Sequence, residues 1–131
     1  METRELEAGI GQFFDEFVEA FRTFKGTKIA ERYLSPYLAF HADGKSDVFS
    51  SNQDIAEYFQ RVVDAYHQKG IRTCSYEGLA VVPLGRESAL ATVTWRMHAE
   101  DAAVLITWRE SYNLWRRDGK WMVFTSTDHV P

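Results

Sequence analysis

A chain of 131 residues can build one domain with a real core and is too short for two ordinary ones. Its net charge of −4, with acids and bases mixed and no basic stripe, argues against nucleic-acid binding. It carries no signal-like start, no long apolar run and a single cysteine, Cys74, so a cytoplasmic protein that does not enter a membrane is expected. Aromatic residues make up 15% of the chain, more than a small core needs, which suggests an aromatic-lined cavity or a buried interface.

In residues 4–24, Leu6, Ile10, Phe13, Phe14, Phe17, Phe21 and Phe24 recur at three- and four-residue steps, the pattern of an amphipathic helix. Gly26 should stop it, and Thr27 should cap a short second helix over 28–34 that buries Ile29, Tyr33 and Leu34 before Pro36. Residues 37–42 and 45–50 read as a hairpin about Asp43-Gly44. Ser51-Asn52-Gln53-Asp54 opens a third helix over 53–69, with Ile55, Phe59, Val62 and Tyr66 inward and Tyr58 on its flank. Gly70 closes it. Residues 71–82, 87–99, 104–116 and 120–129 are long runs rich in Val, Thr, Ile, Trp and Tyr, and read as strands.

Asp118-Gly119 suits a two-residue hairpin turn, which pairs Arg117 with Lys120. Counting back, Glu110 falls opposite Thr127 and diagonal to His129, on one face with Trp108, Tyr112, Leu114, Trp121 and Val123. The other face carries Arg109, Trp115, Met122, Phe124 and Asp128. A loop of two or four residues over 100–103 pairs Trp95 with Trp108 and Val93 with Glu110, so a third strand extends the apolar face. Helices followed by long strands make an α+β arrangement, with three helices packed on one strongly curved antiparallel sheet around a pocket.

Several stretches resemble the nuclear transport factor 2-like superfamily in its SnoaL-like branch, over essentially the whole chain as one domain, 1–131. They are the Phe-rich first helix, Phe40-His41, Asp54-Ile55-Ala56-Glu57-Tyr58-Phe59 and, most specific, Trp115-Arg116-Arg117-Asp118-Gly119-Lys120-Trp121. The resemblance implies a cystatin-like α+β cone, as in ketosteroid isomerase and polyketide cyclases, with its pocket between the helices and the concave sheet face. It implies that Trp108, Trp121 and Val123 face the pocket, and that Trp115, Met122 and Phe124 on the convex face meet a second copy in a homodimer. The catalytic Asp of ketosteroid isomerases lies near the end of the first strand. Here His41 stands at that position, so that acid does not carry over.

Glu110 and His129 are the first candidates for chemistry. Burial raises a Glu pKa, a nearby carboxylate raises that of His, and such a pair can serve as base and acid. His41 is a third candidate, as a base. Tyr112 would hold a ligand oxygen, and Trp95, Trp108, Thr127, Tyr58, Phe14 and Phe17 would line the pocket. Each has an ordinary reading as well: Glu110 as the partner of a Thr or Arg, His129 as a terminal residue, the aromatics as core. Arg109 and Asp128 read as a surface or interface ion pair across two strands. His67 and His98 read as solvated. Cys74 has no activating base nearby and reads as inert. No H-E-x-x-H spacing, phosphate loop or nucleotide signature is present, so no metal and no cofactor are expected. Two functions follow. One is a cofactor-independent isomerase, cyclase or hydrolase acting on a small hydrophobic molecule. The other is a non-catalytic ligand-binding or structural homodimeric module.

Overall fold

The computed structural model describes residues 2–131. Its elements are α1 (Glu2–Arg22), α2 (Gly26–Ala30), β1 (Tyr33–Phe40), β2 (Ser46–Phe49), α3 (Asn52–Gln68), β3 (Ile71–Pro83), β4 (Ser88–Ala99), β5 (Val104–Arg117) and β6 (Lys120–Asp128). The six strands form one curved, open sheet in the order β2-β1-β6-β5-β4-β3, with the helices on one side. All strand pairs are antiparallel except β1 with β6, which run parallel.

The apolar stripe of α1 does what its spacing predicts. Leu6, Ile10, Phe13, Phe14, Phe17 and Phe21 are all buried. Each side chain so removed from water contributes about 2 kcal/mol. Phe14 sits deepest, with its ring 5.5 Å from Tyr112 and 6.0 Å from Trp95.

The second helix is shorter than its sequence suggests. It spans Gly26–Ala30, Lys25 rather than Thr27 stands at its N-cap, and no side chain caps it. Tyr33 and Leu34 belong to β1, where Tyr33 packs 4.8 Å from Phe59 of α3. Gly26 does more than stop α1. A Cβ there would lie 2.1 Å from the Ala56 carbonyl oxygen, so the α2–α3 contact exists only because the residue has no side chain. Gln60 ties the same corner, accepting from the Gly26 N–H at 2.8 Å and donating to the Phe24 carbonyl at 3.1 Å. Ser51 caps α3 as expected, accepting from the Asp54 N–H at 3.1 Å. Gly70 (φ +92°) ends that helix turn.

The β5–β6 turn also forms as expected. Asp118 and Gly119 both have positive φ, and Arg117 pairs with Lys120. So does the β4–β5 register, with Trp95 opposite Trp108 and Val93 opposite Glu110. The β5–β6 register then breaks. Leu114 pairs with Val123, but Asn113 pairs with Thr125, leaving Phe124 as a bulge. One extra residue reverses the facing of everything after it. Ser126 and Asp128 turn inward and Thr127 turns out to solvent, so Glu110 lies opposite Asp128 and not Thr127.

Trp121 is buried, but its indole packs against Gly9 of α1, where a Cβ would come within 3.0 Å of Nε1, and Arg116 stacks on its ring at 5.4 Å. It belongs to the floor under α1. Neither it nor Val123 reaches the cavity.

Candidate functional site

A cavity of about 330 Å³ opens between the concave sheet face and the helices. Its walls come from Phe17 and Phe21 of α1, Tyr33 and Tyr37 of β1, Tyr58, Phe59 and Tyr66 of α3, Trp95 of β4, and Trp108, Glu110 and Tyr112 of β5. Ser126 and Asp128 of β6 and His41 complete the wall. The core beneath is filled by Phe14, which does not line the cavity. A concave apolar space with a few converging polar groups is the usual form of a small-molecule site.

Glu110 is the polar centre. It is only 9% exposed, and its Oε1 accepts the Trp108 indole N–H at 2.8 Å. Burial pushes its pKa up to about 8, and the negative charge of Asp128 adds to the shift; hydrogen bonds from Trp108 and Tyr112 oppose it. Burial also raises Asp128, against the pull of Glu110, His41 and His129. Two carboxyls side by side in an apolar wall cannot both ionise cheaply. The pair therefore favours keeping a proton over losing both.

The tyrosines are donors fixed in their neutral form. Burial raises the pKa of Tyr33, Tyr37, Tyr66 and Tyr112, and that of Tyr58 to about 12. Tyr37 shares a 2.6 Å hydrogen bond with Ser126. Tyr112 accepts the Trp95 indole N–H at 2.7 Å, which leaves its own proton for Glu110. Among the described residues, the hydroxyls of Tyr58 and Tyr66 make no such bond and remain free to donate into the cavity.

His129 does not join Glu110. The bulge that brings Asp128 in sends the His129 ring to the other face, where Nε2 lies 2.7 Å from the Ser111 hydroxyl. The residue still lines the cavity. Arg109 and Asp128 do not pair either. The Arg109 guanidinium donates to Thr94 at 3.0 Å and to the Gly78 carbonyl at 3.2 Å on the outer face. His98, read as solvated, instead lies 2.7 Å from the Ser75 hydroxyl. Cys74 is buried, its thiol pushed up to about 12 by burial, and has no role here. Among the described residues no three His, Cys, Asp or Glu side chains converge on a metal position, and no helix is long and apolar enough to cross a membrane.

Of the residues picked from sequence, Glu110, Trp108, Tyr112, Trp95, Tyr58, Phe17, His41 and His129 line one cavity; Phe14 and Thr127 do not. Asp128, Ser126, Tyr33 and Tyr37 were missed. Thr125 through Asp128 is uniformly polar, so no apolar alternation marks its parity. Tyr33 was lost to the overlong second helix.

A family model described as NTF2-like protein (DUF6841) matches residues 4–131. No curated protein matches the chain. Several solved structures share its fold. Aln2 from a Streptomyces species superposes with a TM-score of 0.78 at 14% identity, covering 96% of this chain and 91% of its own. A Nostoc punctiforme domain of unknown function with a cystatin-like fold gives 0.74 at 18%, covering 95% and 76%. An NTF2-like protein of unknown function from Pseudomonas putida gives 0.73 at 20%, covering 98% and 88%. Likeness at these identities speaks for the scaffold alone.

Proposed function

The chain belongs to the NTF2-like family DUF6841, and from that premise we propose that it binds a small, largely apolar, ring-containing molecule in the aromatic cavity and moves a proton on it. The reaction class is that of a cofactor-independent isomerase, cyclase or hydrolase of the SnoaL-like kind. The observation that carries this is Glu110 beside Asp128 in a wall of aromatic rings. A cavity of this size sits at the lower end of ligand pockets and suits a compact ring system.

The chemistry follows from the shared proton. The anionic member of the pair takes a proton from the carbon beside a ligand carbonyl. The C–H electron pair moves into the enolate, whose oxygen is held by a hydroxyl proton from Tyr58 or Tyr66. The pair then returns the proton at a second atom of the ligand. Tyr112, the residue first assigned to the oxygen, is engaged with Trp95 and Glu110 and so tunes the acid instead.

The test is deuterium uptake. A panel of cyclic ketones is incubated with the protein in heavy water, and incorporation beside the carbonyl is read by mass spectrometry. Wild type is expected to exceed buffer, Glu110→Gln to fall about a hundred-fold while still binding, and Trp108→Ala to lose binding as well. Uptake by Glu110→Gln at the wild-type rate, or none above buffer for any ketone, contradicts the reading.

The convex face supports a second copy of the chain as partner. Trp115 is 43% exposed beside Met122, and Val82, at 53%, pairs with Leu90 on the same side. An apolar surface of this kind is uncommon on a monomer.

A further inference from the structure

We propose that the ligand of the cavity carries a basic nitrogen: a compact ring ketone with an ammonium group, whose positive charge is held by Glu110 and Asp128 among aromatic rings. The inference rests on the small-molecule reading of this cavity and adds the charge of what enters it.

The side chains that line the space set its sign. Glu110 and Asp128 stand opposite each other across the β5–β6 pair and both line it, whereas among the described residues no Lys or Arg does. Arg61 of α3, whose charge reaches Tyr58, is exposed and lies outside the lining. The His41 ring is engaged with Asp47 at 2.8 Å, which brings a third carboxyl to that side. The His129 ring is engaged with the Ser111 hydroxyl at 2.7 Å. Glu110 is 9% exposed and, among the described residues, forms no ion pair. An acid buried this far without a cationic partner is costly to ionise, and a ligand cation supplies the partner.

The rings add to the attraction. Tyr58, Tyr66 and Trp108 line the cavity around the two carboxyls, with the Tyr66 and Trp108 centroids 6.5 Å apart. The face of an aromatic ring is the negative end of its quadrupole and attracts an ammonium group, most strongly where water is excluded. Depth then sorts the two ends of the ligand. The Asp128 side chain is 30% exposed, whereas Phe17, Tyr33 and Trp95 are buried. The ammonium rests against Asp128 and Glu110, and the carbon ring lies on Phe17, Tyr33 and Trp95.

Such a ligand also readies the base. Burial holds the Glu110 carboxyl up at about 8, so in the empty cavity near neutral pH it keeps its proton. An ammonium beside the pair favours the ionised form. The displaced proton passes to water, and Glu110 stands as the carboxylate that can take a proton from the carbon beside the ligand carbonyl. A ketone of the same shape without the nitrogen leaves that proton in place. Apart from the lining tyrosines, which burial keeps neutral, the other titratable groups that face the pair are His41 at the end of β1 and His129 after β6.

The experiment is calorimetric titration of the full chain near neutral pH with two matched pairs of ligands. Tropinone and N-methyl-γ-piperidone, both protonated there, are each compared with the analogue in which CH replaces the ring nitrogen. In wild type at least one amine should bind about tenfold or more tightly than its carbon analogue. That ratio should fall close to one in Glu110→Gln and fall clearly in Asp128→Asn, while the carbon analogue binds all three proteins alike. Equal binding of amine and analogue in wild type overturns the cationic ligand and leaves the apolar cavity reading standing. So does an amine advantage that survives unchanged in both variants, since it then owes nothing to the carboxyl pair. No binding by any of the four compounds overturns both.

Discussion

Replacing Glu110 with Gln should make the protein more stable near neutral pH, and the gain can be worked from the site. In an unfolded chain this carboxyl titrates near its ordinary value of 4.5; in the fold, burial and the Asp128 charge hold it at about 8. Between those limits the folded protein keeps a proton that the unfolded chain has released. Stability must therefore fall as pH rises, by about 1.4 kcal/mol per pH unit, and level off above the folded pKa. Integrated over the interval, the loss is on the order of 5 kcal/mol, a large share of a typical domain's stability. Asp128, also raised, adds to the loss in the same direction. Gln keeps an oxygen for the Trp108 indole and removes the ionisation. Urea unfolding followed by fluorescence, at several pH values between about 5 and 7.5, reads the effect below the range where Cys74 and the tyrosines ionise. Wild type should lose stability steadily across that range, and Glu110→Gln should lose clearly less, keeping only the part due to Asp128. A wild-type profile that is flat or rises, or a Glu110→Gln profile parallel to it, refutes the reasoning.

Two other perturbations address the scaffold and the partner. Gly26→Ala forces a Cβ against the Ala56 carbonyl and the Gln60 backbone, and should destabilise by about 3 kcal/mol, read as a lower urea midpoint at unchanged slope. Trp115→Glu places a charge on the convex face, and light scattering should show a dimer in wild type and a monomer in the variant; a monomer in both rejects the homodimer.

Most of the fold was legible because hydrophobic periodicity and turn chemistry point the same way. The stripe from Leu6 to Phe21, the Ser51 cap and the Asp118-Gly119 turn each fix a local conformation that tertiary packing then uses. The Trp95–Trp108 register followed from one loop length. The site was legible only in part, because its acid–base pair depends on a bulge at Phe124 that no Gly or Pro announces. Beyond it, Thr125 to Asp128 are polar on both faces, so burial did not constrain which way they point. One residue of slip exchanged Thr127 for Asp128 and turned His129 away. Gly26 shows the same limit in another form. A glycine after a helix reads as a stop, and its close approach to α3 depends on a contact with Ala56, far along the chain, between helices whose crossing the local sequence does not state.

The central claim is that ligands enter the aromatic cavity beside Glu110, and the four tryptophans report on it directly. The indole N–H signals of Trp95, Trp108, Trp115 and Trp121 are followed by nitrogen-15 NMR as a cyclic ketone is titrated in. Trp95 and Trp108 line the cavity and should shift with saturation, whereas Trp115 on the convex face and Trp121 under α1 should stay in place. Shifts confined to Trp115, or none at Trp108 with any ligand that binds, would contradict the account.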